Sequence, residues 1–123
     1  MPDQIPIIRM GRNLLVPLTG DLEDSTVEEI ERQVTDEVAR SHATGALIDI
    51  SGLSVVDSFV ARVIARLVAM IRLLGAEAAI VGMQPAVAMT VVELGVPMGH
   101  VPTVLNAEQG MAWLGGLRDE PAG

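Results

Sequence analysis

Apolar residues follow two rhythms along this chain, and the alternation between them predicts the fold. Residues 5–10 and 14–18 are short apolar runs joined by Gly11-Arg12-Asn13, the spacing of a β-hairpin. Pro6 and Pro17 each lack the N–H that a ladder needs, which puts these strands at or near an edge. Ser25 with Glu28 three residues later has the form of a capping box. Val27, Ile30, Val34 and Val38 then recur at helical spacing, with acids opposite them, until Gly45 ends the segment. Residues 46–50 are a mostly apolar run between Gly45 and Ser51-Gly52, the mark of a buried strand. A broad stripe of Phe59, Val60, Val63, Ile64, Leu67, Val68, Ile71 and Leu74 predicts a second helix over 58–74, stopped by Gly75.

Residues 78–83 read as the next buried strand, and Gln84-Pro85 opens a third helix that Gly95 ends. Residues 100–104 suit a last short strand. Asn106 with Gln109 fits a weaker cap before a final helix over 107–114, and the tail 115–123 is expected to fray. The order ββαβαβαβα predicts an α/β fold. Its mixed sheet combines a hairpin with a parallel centre, and about four helices pack largely on one face.

Composition adds three constraints. A chain of 123 residues and 13.0 kDa is sized for one domain, here with its core over about 5–114. Half the residues are apolar and mean hydropathy is +0.44, yet Phe59 and Trp113 are the only aromatics. The core is therefore built of Val, Ile, Leu, Ala and Met, and the apolar surplus points to self-association or a larger assembly. The net charge is −8 and every basic residue is arginine, which argues against nucleic acid as a partner. Eight of the sixteen acids lie within 21–37, whereas 58–76 carries Arg62, Arg66 and Arg72 and no acid. Either two solvated helices differ in sign, or two complementary faces dock subunits. There is no cysteine, so disulfides and thiolate metal sites are excluded. The N-terminal residues do not have the pattern of a signal peptide. The longest uncharged stretch, 78–92, is too short to span a bilayer and is broken by Gly82, Gln84 and Pro85, so a cytoplasmic protein without membrane contact is expected.

Catalytic equipment is thin. His42 and His100 join no Ser/His/Asp pattern, and Asp57-Ser58-Phe59 is not a nucleophile elbow. His42 reads as a solvated residue at a helix C-terminus, and His100 as structural. Asp49 and Asp57 lack a third ligand for magnesium, and no glycine-rich phosphate loop occurs. No catalytic residue, metal or cofactor is expected. Ser58 remains. On the residues alone, Asp57 or Ser58 caps the second helix, or Ser58 is displayed there as a phosphate acceptor.

Three segments carry a resemblance: residues 49–59, Asp49-Ile-Ser-Gly-Leu-Ser-Val-Val-Asp-Ser-Phe59; then Arg72-Leu-Leu-Gly-Ala76; then 81–95, with Gly-x-Gln-Pro-Ala-Val-Ala and a closing Glu-Leu-Gly. Over nearly its whole length the chain resembles STAS domains, the fold of anti-sigma-factor antagonists, and within them the RsbS-type scaffolds of the stressosome. The resemblance implies that Ser58 is phosphorylated, with Asp57 and Phe59 beside it as kinase-recognition positions. It implies a serine/threonine switch kinase of the RsbT type, a phosphatase of the RsbX type, and co-assembly with RsbR-type paralogues that carry an extra sensory domain. Asp-Ser-Phe-Val stands where simple antagonists usually read Asp-Ser-Ser-Gly, which favours the stressosome branch. No sensory domain fits before Ile5, which favours RsbS over RsbR. The expected function is a non-enzymatic phosphoswitch scaffold; the alternative is a free-standing antagonist that binds an anti-sigma kinase directly.

Overall fold

A computed structural model describes residues 5–19, 24–53, 56–95 and 101–119. Among them the elements run β1 (Ile8–Met10), β2 (Asn13–Pro17), α1 (Asp24–Ser41), β3 (Gly45–Asp49), α2 (Ser58–Leu73), β4 (Glu77–Val81), α3 (Pro85–Glu93), β5 (Thr103–Val104) and α4 (Ala107–Asp119). The sheet order is β1-β2-β3-β4-β5, antiparallel only between β1 and β2. The hairpin turns through Gly11 at φ +64°, a backbone conformation that costs glycine little. Register sets Leu15 beside Leu47 and Leu47 beside Ala79, while Ile48 pairs with Ile80.

From β2 to β5 the parallel strands lie in chain order, and successive crossovers of one hand, right-handed as a rule, send their connecting helices to one face. Val27, Ile30, Val34 and Val38 of α1, Val63, Ile64, Leu67, Val68 and Ile71 of α2, and Val87 and Val91 of α3 accordingly share one core with Leu14, Val16, Ala46, Ile48 and Ile80. Phe59 and Leu74, read as part of the same stripe, are exposed at its two ends. Burying a branched side chain such as Ile64, Leu67 or Ile71 contributes about 2 kcal/mol, which fixes the face that α2 presents. The opposite face is also apolar, as expected for parallel strands that are buried on both sides. α4 covers it, with Leu114 packed against Leu47, Ala79 and Val81. Three helices thus lie on one face and the fourth alone on the other.

Several boundaries differ from the sequence reading. α1 already includes Asp24, so Ser25 lies inside the helix and cannot be its cap. α1 ends at Ser41, and His42 takes the left-handed position at φ +54° while the Ala43 N–H donates to the Val38 carbonyl at 3.3 Å. This is the geometry that Gly75, at φ +91°, provides after α2, where the Ala76 N–H donates to Ile71 at 3.3 Å. His42 is exposed at that helix end, and Gly45 opens β3 instead of ending α1. A Cβ on Gly45 would sit 2.7 Å from Asn13 Oδ1 and 2.8 Å from Leu114 Cδ1, so packing explains this glycine. α4 runs on to Asp119, which replaces the expected fraying of 115–119; residues 120–123 and His100 lie outside the described residues. Its cap is as read: Asn106 Oδ1 accepts from the Gln109 N–H at 2.8 Å, and Gln109 Oε1 accepts from the Leu105 N–H at 3.2 Å.

The two oppositely charged helices are neighbours within one chain. Arg66 Nε on α2 donates to Glu31 Oε2 on α1 at 2.9 Å, so this complementarity is met inside the fold. The apolar surplus does reach the surface. Leu73 is 86% exposed, Val92 78% and Leu105 76%.

Candidate functional site

The carboxyl ends of β3 and β4 lie side by side, and the loops leaving them are bound to each other. Asp49 Oδ1 accepts from the Ser51 N–H at 2.9 Å and from the Ser51 hydroxyl at 2.7 Å, which turns the chain sharply after β3. Gln84 Nε2 reaches across from the end of β4 and donates to the Ser51 carbonyl at 3.0 Å. Gly82, at φ +76°, allows that approach, because a Cβ there would stand 2.7 Å from Ser51 Cβ. Asp49 is therefore a turn residue. Among the described residues no cluster of three His, Asp or Glu could hold a metal ion.

Leu53 and Val56, at 4% and 3% exposure, are buried in the core between this turn and the start of α2. Here the choice between Asp57 and Ser58 as cap is decided. Asp57 is extended, at φ −94° and ψ −178°, and its Oδ1 accepts from the Val60 N–H at 2.9 Å. Its carbonyl takes the first helical bond, from the Ala61 N–H at 3.0 Å. Ser58 is thus the first residue of the helix, half-buried, and its hydroxyl has no hydrogen-bond partner among the described residues. Phe59, next to it, is 38% exposed. Removing the cap with Asp57→Ala should cost about 1 kcal/mol, read as a lower urea midpoint at unchanged slope. An unchanged midpoint would show that α2 starts without Asp57.

Beside this corner a groove of about 460 Å³ runs between α1 and α2. Val27, Phe59 and Val63 give it apolar surface; Glu28 and Glu31 face it from α1, and Arg62 and Arg66 from α2. Arg66 is held by Glu31, a hydrogen bond that raises the pKa of its guanidinium further. Arg62 has no ion pair or hydrogen bond among the described residues. The structure thus brings Asp57, Ser58 and Phe59 together at one exposed corner. It adds Arg62, Gly82 and Gln84, which sequence reasoning had given no role at this site. Ser54, the nearest other hydroxyl of this loop in sequence, lies outside the described residues.

Comparison with known proteins places the arrangement. The STAS domain family matches residues 4–104. The chain belongs to the STAS domain family. Its STAS fold is similar to that of RsbS from Moorella thermoacetica, solved as the S58E variant, with 30% identity and a TM-score of 0.85 over 96% of this chain and 100% of that one. A chain in a structure of the stressosome, described as a signal integration and transduction hub, is similar at 32% identity and TM-score 0.85, over 94% and 100% of the two chains. The RsbT co-antagonist protein RsbRA of Bacillus subtilis is 32% identical over 107 residues, 86% of this chain but 39% of RsbRA. This STAS domain thus spans about two fifths of the length of that relative. α4 lies beyond the family match, at 107–119. Among the described residues no helix is long and apolar enough to cross a membrane.

Proposed function

We propose that this STAS domain is a non-enzymatic phosphoswitch scaffold in a cytoplasmic stressosome-type assembly. It retains a serine/threonine switch kinase of the RsbT type and releases it when Ser58 is phosphorylated. The observation that carries this reading is the division of labour at the head of α2. Asp57 caps the helix, so the neighbouring Ser58 hydroxyl is left half-exposed and unengaged by any described residue. In the transfer, Ser58 Oγ takes the γ-phosphoryl group of ATP, loses its proton, and ADP leaves; an RsbX-type phosphatase would return the hydroxyl by hydrolysis. The phosphate adds about −1.5 to −2 charges beside Asp57, which changes what can dock there more than it changes the fold. Two relatives support parts of this reading: RsbRA is named an RsbT co-antagonist, which fits the kinase partner, and the Moorella relative was solved with a glutamate replacing serine.

The assembly partner in this reading is an RsbR-type STAS paralogue, and the exposed Leu73, Met89 and Val92 supply apolar surface for such contacts. Two measurements test the proposal. After incubation with kinase and ATP, intact mass should show one added phosphate, absent from Ser58→Ala. The Thr90 hydroxyl, already donating to the Ala86 carbonyl at 3.0 Å, should stay unlabelled. Light scattering of the chain mixed with an RsbR-type partner should give a particle far larger than either alone. Labelling that persists in Ser58→Ala overturns the phosphosite. Separate small species at physiological salt would instead leave a free-standing antagonist.

A further inference from the structure

Among the described residues nothing engages Arg62, and its position relative to Ser58 suggests a use. The two residues stand four apart on α2, so their Cβ atoms lie about 5–6 Å from one another on one helix face. Helical side chains tilt toward the N-terminus, which points an arginine at the later position back over the earlier one. An acid placed N-terminal to its base is also the favourable order for such a pair. Asp57, Arg66 and Glu31 are already engaged, while Glu28 faces the groove without a partner among the described residues. Asp57 Oδ1 holds the Val60 N–H, and Arg66 is held by Glu31 through Nε at 2.9 Å and Nη2 at 3.4 Å.

We propose that Arg62 is the intramolecular counter-ion of phosphorylated Ser58, and that forming this pair withdraws the free cation from the groove between α1 and α2. The inference rests on Ser58 being the phosphosite. Unmodified, the groove is balanced, with Glu28 and Glu31 against Arg62 and Arg66. A dianion on Ser58 is repelled by Asp57 and attracted by the Arg62 guanidinium a helical turn away, unengaged among the described residues, which can meet it with two parallel N–H donors. Once Arg62 has swung to the phosphate, Glu28 and Glu31 face Arg66 alone. Phosphorylation then changes two surfaces together: the Ser58 corner gains a phosphate whose charge Arg62 only partly offsets, and the groove that Phe59 lines becomes acidic. A partner that spans both reads the modification twice.

The test installs phosphoserine at position 58 during translation, so it needs no kinase. Phosphorus NMR then follows the second ionisation of the phosphate across about pH 4 to 8, in the wild-type chain and in Arg62→Gln. Helix dipole and first-turn N–H groups are common to both, so the difference isolates Arg62. At low salt the wild-type midpoint should lie about half a pH unit below that of Arg62→Gln, as expected for one solvent-exposed pair, and the gap should shrink at about 1 M salt. Arg62→Lys should fall between them, keeping the charge without the paired donors. Glutamine is a good helix former at this exposed position, so the variant folds. Equal midpoints in wild type and Arg62→Gln overturn the pairing, whatever a kinase does. A chain that no kinase labels at Ser58 but that shows the gap would overturn the proposed function and leave Arg62 able to bind a phosphate there.

Discussion

Ser58→Asp should bind the switch kinase at least about tenfold more weakly than Ser58→Ala, which should bind it as the unmodified protein does. The difference comes from where the charge arrives. The corner around Ser58 offers a partner an apolar ring at Phe59, a polar hydroxyl and one carboxylate already turned to its own backbone. A second carboxylate beside Asp57 must be stripped of water against the kinase surface, and like charges brought together in an interface cost several kcal/mol. Aspartate carries less charge than phosphate, so about 1.4 kcal/mol, a factor of ten, is the part expected of the mimic. The fold does not suffer. An acid in the first turn of α2 faces the positive end of the helix dipole, so the melting temperature should hold or rise slightly. Calorimetric titration of kinase with both variants, at one fixed salt concentration, measures the ratio. Equal affinities would end the idea of release by charge.

The second large effect is structural and lies behind that corner. Gly82→Ala should lose about 3 kcal/mol of stability, or roughly 10 °C in melting temperature for a domain of this size. Two causes add. Gly82 sits at φ +76°, where an L residue is strained, and its new Cβ would be 2.7 Å from Ser51 Cβ and 3.3 Å from the Ser51 backbone nitrogen. Ser51 cannot retreat freely, since its N–H and hydroxyl are bound to Asp49 and its carbonyl to Gln84. Gly115→Ala is the control. It lies within α4 with nothing within 4 Å of the added carbon, so the same change there should stabilise by about 0.5–1 kcal/mol. A Gly82→Ala chain as stable as wild type would mean that the two loops do not meet as described.

The pairing of those loops also shows what the sequence made legible. Order and type of the described elements followed from periodicity for α1 and α2, from short apolar runs cut by glycines or polar turns for the strands, and from Pro85 and the Asn106 cap for α3 and α4. The mixed sheet followed from the order of elements. Boundaries were less legible where a residue acts against type. His42 stands where glycine is usual, so the end of α1 was read three residues late at Gly45, whose own reason is a tertiary contact with Asn13 and Leu114. The tail from Gly115 was expected to fray, yet Gly115 and Gly116 lie within α4, with space around both. At the site, Asp57 and Ser58 were found, but not which of them caps, since both residue types accept that bond. The Gly-x-Gln-Pro segment was distinctive in sequence. Its work, holding Ser51 from the end of β4, depends on which strands are neighbours and is invisible before the fold is known. Arg62 was countable as part of a basic helix; its freedom was not, because that depends on Glu31 choosing Arg66.

The face that α4 closes carries a label of its own. Trp113 is the only tryptophan in the chain, and it sits half-buried on α4 against the Leu47, Ala79 and Val81 cluster. Its emission reports the seating of that one helix, whereas far-ultraviolet ellipticity is weighted toward the longer α1 and α2 on the other side of the sheet. Two optical signals from one unmodified sample therefore watch the two layers separately. Superimposable denaturation curves mean that both layers unfold as a single cooperative unit. An earlier fluorescence transition would mean that the back layer peels away while the corner bearing Asp57 and Ser58 is still in place.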